Sequence, residues 1–434
     1  MGNQPFGSGS GGDEPDEPRN VPQDPFSALF GSSTPADLGA ALQHMGRLLQ
    51  YSGGPVNWDL ARDLARQEVM RDGDPSVSDA ERRAVDESVR LAETWLDPVT
   101  SFPAGTVGAL AWSRSEWVEQ TRAAWQALVD PVASRVVEAT SSMVPPDAQA
   151  GMGLTGPMLG MMKQLSGAMF GAQVGQGLGR LASEVLGATD IGLPLGPERR
   201  AALVPRNVAG YGAGLGIAAD DVRLDVALRE TAHQRLFAHV PWLRAALLGA
   251  VEEYARGITV DTSRLEEVAR SIDPTNPQAL QEVLESGMFE PADTPAQKAA
   301  LLRLETLLAL VAGWVDVVVA AATHDRLPSA DALRETARRR RATGGPAEQT
   351  FSTLVGLELR PRRMREAAEL WTQLTNERGI EARDALWSHP DLLPTVDDLE
   401  DSTKYLSGDS AAPLDLSALE SAGEAPEEPD QPQA

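Results

Sequence analysis

The sequence predicts a mainly α protein with at most a small β element and with acidic, disordered ends. Three observations carry that expectation. Apolar residues recur with a period near 3.6 along most of the chain, Pro and Gly cut these segments apart, and few windows alternate in the manner of strands. With 434 residues, 42% apolar and 23% charged, the composition is that of a globular protein with a sizeable core.

The elements follow in order. Residues 1–24 are Gly, Ser, Pro and acid with a net charge of −4, and bury too little apolar surface to offset the entropy of ordering. A folded body is expected over 25–397, with a helical N-terminal part over about 25–150 and a second part over about 151–397. Leu60, Leu64, Ala65 and Val69 mark a helix after Asn57-Trp58, and Ala84, Val85, Val89, Ala92 and Leu96 mark the next. Trp117, Ala124, Leu128, Val132 and Val136 mark a third, which Pro131 should kink or break in two.

Met152–Leu186 holds Gly167, Gly171, Gly175 and Gly179 at four-residue spacing, a stripe along one helix face that lets a second backbone come close. Lys163, Gln164, Gln173, Gln176 and Arg180 interrupt every window long enough to span a bilayer. A tightly packed buried helix is therefore expected, with no stable membrane insertion. Ala201–Pro205 is the best strand candidate. Helices are expected over Asp220–His239, Trp242–Ile258, Ala296–His324, Ala330–Arg341 and Arg362–Thr375. Residues 398–434 read as an acidic, disordered tail, with a net charge of −8 from Glu400 onward.

Charge and composition narrow the function. With 38 Lys and Arg against 63 Asp and Glu the net charge is −25, which argues against a nucleic-acid partner. Cys is absent, so disulfides, thiolate metal sites and cysteine nucleophiles are excluded, and a metal would have to bind through His, Asp or Glu. The N-terminus has neither the basic nor the apolar region of a secretory signal, so a cytoplasmic location is expected. Neither a G-x-x-x-x-G-K-[ST] loop nor a G-x-S-x-G elbow is present.

Chemistry concentrates in Asp220–Trp242, DDVRLDVALRETAHQRLFAHVPW. Arg229-Glu230-Thr231-Ala232-His233 is the zinc-peptidase pattern H-E-x-x-H with its first His replaced by Arg. In that pattern two ligands one turn apart share a helix face, and the intervening Glu can take a proton from a metal-bound water. His239 lies six residues beyond His233, the offset of a third His in the extended pattern, but Leu236 stands where that pattern turns on Gly. A guanidinium is permanently charged and offers a metal no lone pair. The pentapeptide Leu228–Ala232 recurs letter for letter as Leu333–Ala337, where Arg338 replaces His233.

The stretch NVAGYGAGLGIAADDVRLDVALRETAHQRLFAHVPWL, with GAQVGQGLGRLASEVLG before it and LLALVAGWVDVVV and LWSHPDLLPT after it, resembles the zinc-dependent metallopeptidases of the zincin-like (DUF2342) type. The similarity runs from about Pro25 to Asp397. It implies a mainly helical zincin-like metallopeptidase fold, an H-E-x-x-H helix and a further acidic or His ligand on a later helix. Carried over by position, Glu230 would be the catalytic base and His233 a zinc ligand, with His239 and Asp316 as further candidate ligands. Relatives have Glu-Gly where this chain has Ala312-Gly313, so Ala312, like Arg229, marks a lost ligand position.

Two functional readings follow. One is a zinc-dependent hydrolase working through Glu230, His233, His239 and Asp316. The other is a catalytically inactive relative that binds a peptide or protein partner through the old cleft, or acts as a scaffold. Separately, Arg338–Arg341 with Arg334 one turn earlier, and Arg360-Pro361-Arg362-Arg363, are basic blocks in an acidic protein. Such blocks are usually solvated helix ends, and together they could form an anion-binding face.

Overall fold

The computed structural model describes residues 54–142, 156–256, 294–342 and 363–407. All described residues belong to one compact unit, which lies within Ser52–Ala434. The tail expected over 1–24, the body expected over 25–53 and the chain from 408 onward lie outside the described residues, as do Arg360, Pro361 and Arg362.

The order of elements is α1 (Trp58–Arg71), α2 (Asp79–Leu96), β1 (Gly108–Ala111), α3 (Arg114–Ser142), α4 (Gly156–Ala182), β2 (Arg200–Leu203), α5 (Pro205–Gly212), α6 (Ala219–His239), α7 (Pro241–Arg256), α8 (Pro295–Thr323), α9 (Ala330–Ala342), α10 (Met364–Ala385), α11 (Val396–Glu400) and α12 (Ser402–Ser407). The fold is thus mainly α. The strand expected at Ala201–Pro205 is β2, paired in parallel with β1 in the register Gly108 to Arg200 through Ala111 to Leu203.

Local chemistry sets the helix starts. The Asn57 side chain accepts from Leu60 N–H to cap α1. Ser78 with Glu81 and Thr294 with Gln297 form reciprocal capping boxes before α2 and α8. The glycine stripe on α4 is a contact face: a Cβ on Gly171 or Gly175 would stand 2.5 Å from the carbonyl oxygen of Asn57 or Ala61, and one on Gly179 would stand 2.5 Å from the Glu68 Cβ. Only Gly lets α1 lie this close, and the Asn57 N–H donates to the Gly167 carbonyl at the same seam. α8 is long and apolar enough by composition to cross a membrane, but it is mostly buried against α6, α7 and α10. Trp117, Trp125, Trp314, Trp371 and Trp387 fill the core.

Three expectations need correction. α3 is one continuous helix through Pro131 rather than two, because Leu128, Val129, Val132 and Ala133 bury apolar surface on both sides of the missing hydrogen bond. α10 extends past Thr375 to Ala385, with a kink at Gly379, whose φ of 83° suits glycine. Residues 398–407 belong to two short helices joined at Asp401 rather than to a tail: Thr395 and Asp398 form a capping box and Leu399 is buried.

Candidate functional site

α6 runs through the middle of the fold against α2, β2, α5 and α8, and from Leu224 to Leu236 nearly every residue is buried. A helix buried on all sides must pair each polar group it carries. Arg235, fully buried, donates to Glu93 Oε2 at 2.6 Å, to Asp97 Oδ1 at 2.7 Å and to the Phe102 carbonyl at 3.1 Å.

Arg229, which stands where the H-E-x-x-H pattern has its first His, sits in an ion-pair network. Its Nε donates to Asp225 Oδ2 at 3.0 Å, one turn earlier on α6, and its Nη1 stands 3.6 Å from Asp316 Oδ1 on α8. Asp316 is 2% exposed, and its Oδ2 accepts from Arg334 Nε at 3.0 Å, Arg334 Nη2 at 2.9 Å and Arg338 Nη2 at 2.9 Å. Burial raises the Asp316 pKa, but Arg229, Arg334 and Arg338 outweigh it and hold the carboxyl below its ordinary value. Burial likewise works against the charge on Arg229, and Asp225 and Asp316 more than restore it. The α9 block is therefore not a solvated helix end. Arg334, Arg338 and Arg340 turn inward, Arg340 Nη1 donating to both oxygens of Asp190 at 3.0 and 2.9 Å, while Arg339 faces solvent.

Glu230 is turned to another wall. Its Oε2 accepts from the Thr189 N–H at 2.9 Å and the Thr189 hydroxyl at 2.6 Å, and its Oε1 from Gln234 Nε2 at 3.2 Å and the Ala202 N–H at 3.4 Å. The carboxylate joins the 187–189 loop to β2, and a Cβ on Gly187 would stand 2.7 Å from Oε2. Burial pushes its pKa up to about 7, despite the donors from Thr189, Gln234 and Ala202.

His233 and His239 do not converge. His233 is 1% exposed, and its Nδ1 donates to the Arg229 carbonyl at 2.8 Å, which leaves the lone pair on Nε2; that atom has no partner among the described residues. Burial, reinforced by the Arg341 and Arg229 guanidiniums, pushes the His233 pKa down to about 3. His239 is exposed, stacks on Phe102 with ring centroids 5.9 Å apart, and donates from Nε2 to the Pro103 carbonyl at 3.1 Å. Ala312 is buried in α8, one turn before Asp316.

This donor set does not fit a zinc ion. Arg229 carries a fixed positive charge and no lone pair, Asp316 is committed to arginines, His239 faces away, and the free lone pair of His233 lies among cations. Among the described residues, no group of three or more His, Asp and Glu is placed to hold a metal ion.

Beside the network lies a cavity of about 210 Å³, walled by Asp225 and Arg229 of α6, Val319, Ala320 and Thr323 of α8, and Asp331 and Arg334 of α9, among others.

The body is mainly helical and built around a central helix that carries Arg229-Glu230-Thr231-Ala232-His233. The family model for zincin-like metallopeptidases matches residues 56–406, and the chain belongs to that family. Its fold is similar to a crystal structure described as a "putative hydrolase with a novel fold" from Chloroflexus aurantiacus, with a TM-score of 0.56 and 22% identity over 82% of this chain and 99% of that one. A comparison with curated proteins finds no match.

The sequence reading singled out Arg229 and Asp316 separately, and the structure brings them together. It missed Asp225, whose signal was its i, i+4 spacing to Arg229. The two Arg residues of the recurring Leu-Arg-Glu-Thr-Ala, Arg229 and Arg334, face the same carboxylate, that of Asp316.

Proposed function

We propose that this member of the zincin-like metallopeptidase family has exchanged its metal centre for an arginine–aspartate network and acts by binding a peptide or protein rather than by hydrolysing it. The observation that carries the reading is Arg229 at the first ligand position, bonded to Asp225 and facing Asp316. A guanidinium there supplies a positive charge and directional N–H donors without a Lewis-acid centre or an activated water. Glu230 supports the same reading, because both its oxygens are engaged in holding the 187–189 loop to β2.

The test is elemental analysis of the full chain after incubation with excess zinc, beside His233→Ala, together with a peptide-hydrolysis assay. The expected result is no stoichiometric zinc in either protein and no turnover. One zinc per chain that disappears in His233→Ala, with hydrolysis that follows it, would overturn the proposal.

A further inference from the structure

The cavity beside Arg229 has an unusual inventory of donors. Arg229 uses Nε on Asp225, and Arg334 uses Nε and Nη2 on Asp316. Among the described residues, neither Nη of Arg229 nor Nη1 of Arg334 meets a hydrogen-bond acceptor, the 3.6 Å approach to Asp316 being too long for one. Both side chains stand in the cavity wall.

In the cavity wall Arg229 and Arg334 balance Asp225 and Asp331, and behind it Arg338 and Arg341 against Asp316 add one positive charge; Arg340 and Asp190 pair with each other. Among the described residues, Arg341 has only the Met364 sulfur, at 3.4 Å, as a hydrogen-bond acceptor, and its charge is disfavoured by burial and by Arg229. In a chain of net charge −25, a half-buried cluster with surplus guanidinium is a local reversal of sign. Guanidinium forks of this kind suit planar or tetrahedral oxyanions. The rest of the wall is mixed: Thr323, His324 and Asp331 are polar, whereas Val319, Ala320 and Leu327 would hold a short non-polar group attached to the oxyanion.

We propose that the cavity between α6, α8 and α9 is an oxyanion-binding site, in which Arg229 and Arg334 hold the terminal carboxylate of a peptide or a phosphoryl group. This rests on the reading that Arg229 replaces a metal ligand, and it names the chemistry that the replaced site recognises.

The test is calorimetric titration of the metal-free full chain with three probes: inorganic phosphate, a short peptide with a free C-terminus, and the same peptide amidated, all at matched chloride. Two variants address the site in different ways. Arg334→Gln removes donors while leaving Asp316 with Arg338, and Ala320→Phe fills the cavity without changing any charge; each is checked by circular dichroism and a cooperative melt, so one suffices if the other does not fold. The expected result is saturable one-to-one binding that weakens about tenfold or more in each variant. Preference for the free over the amidated peptide assigns the source as a peptide carboxylate, and binding of phosphate alone assigns it as a phosphoryl group. No binding above the chloride control, or binding unchanged in both variants, would overturn the proposal. Zinc-dependent hydrolysis in the parent would instead overturn the reading beneath it, so the two failures are told apart.

Discussion

Replacing Asp316 with Asn tests whether the arginine network is a desolvated structural unit. The substitution keeps shape and volume and removes one buried negative charge. Asp316 Oδ2 takes three N–H donors from Arg334 and Arg338, and Oδ1 faces Arg229. Removing the anion leaves three guanidiniums around a neutral amide, one of whose polar ends is itself a donor. Breaking a buried pair by neutralising one partner costs about 3–5 kcal/mol, since the other charge stays desolvated. Arg334 and Arg338 are each about one-third exposed in their side chains, which screens part of the loss, so the lower end, about 3 kcal/mol, is expected. Urea unfolding followed by tryptophan fluorescence reads this out, because five Trp side chains are fully buried. A double-mutant cycle with Arg334→Gln should return a coupling of about 1–3 kcal/mol, since removing one cation relieves part of the strain left by Asn. A loss below about 1 kcal/mol, with no coupling, would mean that these charges are solvated and that the network described above does not hold the site together.

Glu230 gives a pH prediction with a definite sign. Its pKa is raised in the folded chain from 4.5 to about 7, so the neutral form is the one the fold favours. Its contribution is fully present below pH 4.5 and is lost as pH rises through about 7, by on the order of 3 kcal/mol. Urea midpoints across that window should fall for the parent relative to Glu230→Gln, and parallel curves would refute the assignment. On the α4 stripe, Gly175→Ala should destabilise by about 1–3 kcal/mol or more, because its Cβ meets the Ala61 backbone, whereas Gly160→Ala, whose Cβ would meet no atom of the described residues within 4 Å, should be neutral or gain up to about 1 kcal/mol from helix propensity. Thermal melts of the pair check this, and equal effects at the two positions would contradict the close α1–α4 seam.

The fold was legible in the sequence where the cause is local. The apolar period, the caps and the glycine spacing are written within a few residues of where they act, and α6, α8 and α9 begin and end within a residue or so of expectation. Gly379 and Pro131 were harder, since whether a helix survives a breaker depends on what packs on either side of it. The site was legible as a list of residues, and its chemistry was not. Arg229 could be read as incompetent for a metal from its side chain alone. That Asp316 would be consumed by Arg334 and Arg338 needed the approach of α9 to α8, which no pattern within either helix encodes. His239 failed as a partner for His233 because an offset of six residues on a continuous helix points the two rings to different sides, and the Gly that would turn the chain is Leu236.

The glycine stripe also acts as a positioning rail with discrete stops. Its notches are four residues apart, about 6 Å along the helix, so α1 could sit in one notch or the next but not between them. A slide by a single residue would set Ala172, Gln176 and Arg180 under the α1 backbone in place of the glycines. What selects the stop is the Asn57 N–H to the Gly167 carbonyl at the end of the rail. Insertions within 167–179 should therefore be tolerated, if at all, only in whole-turn steps. Changes at Asn57, which look like the loss of one helix cap, would act instead as the release of a catch that fixes where the first described helix stops along its track.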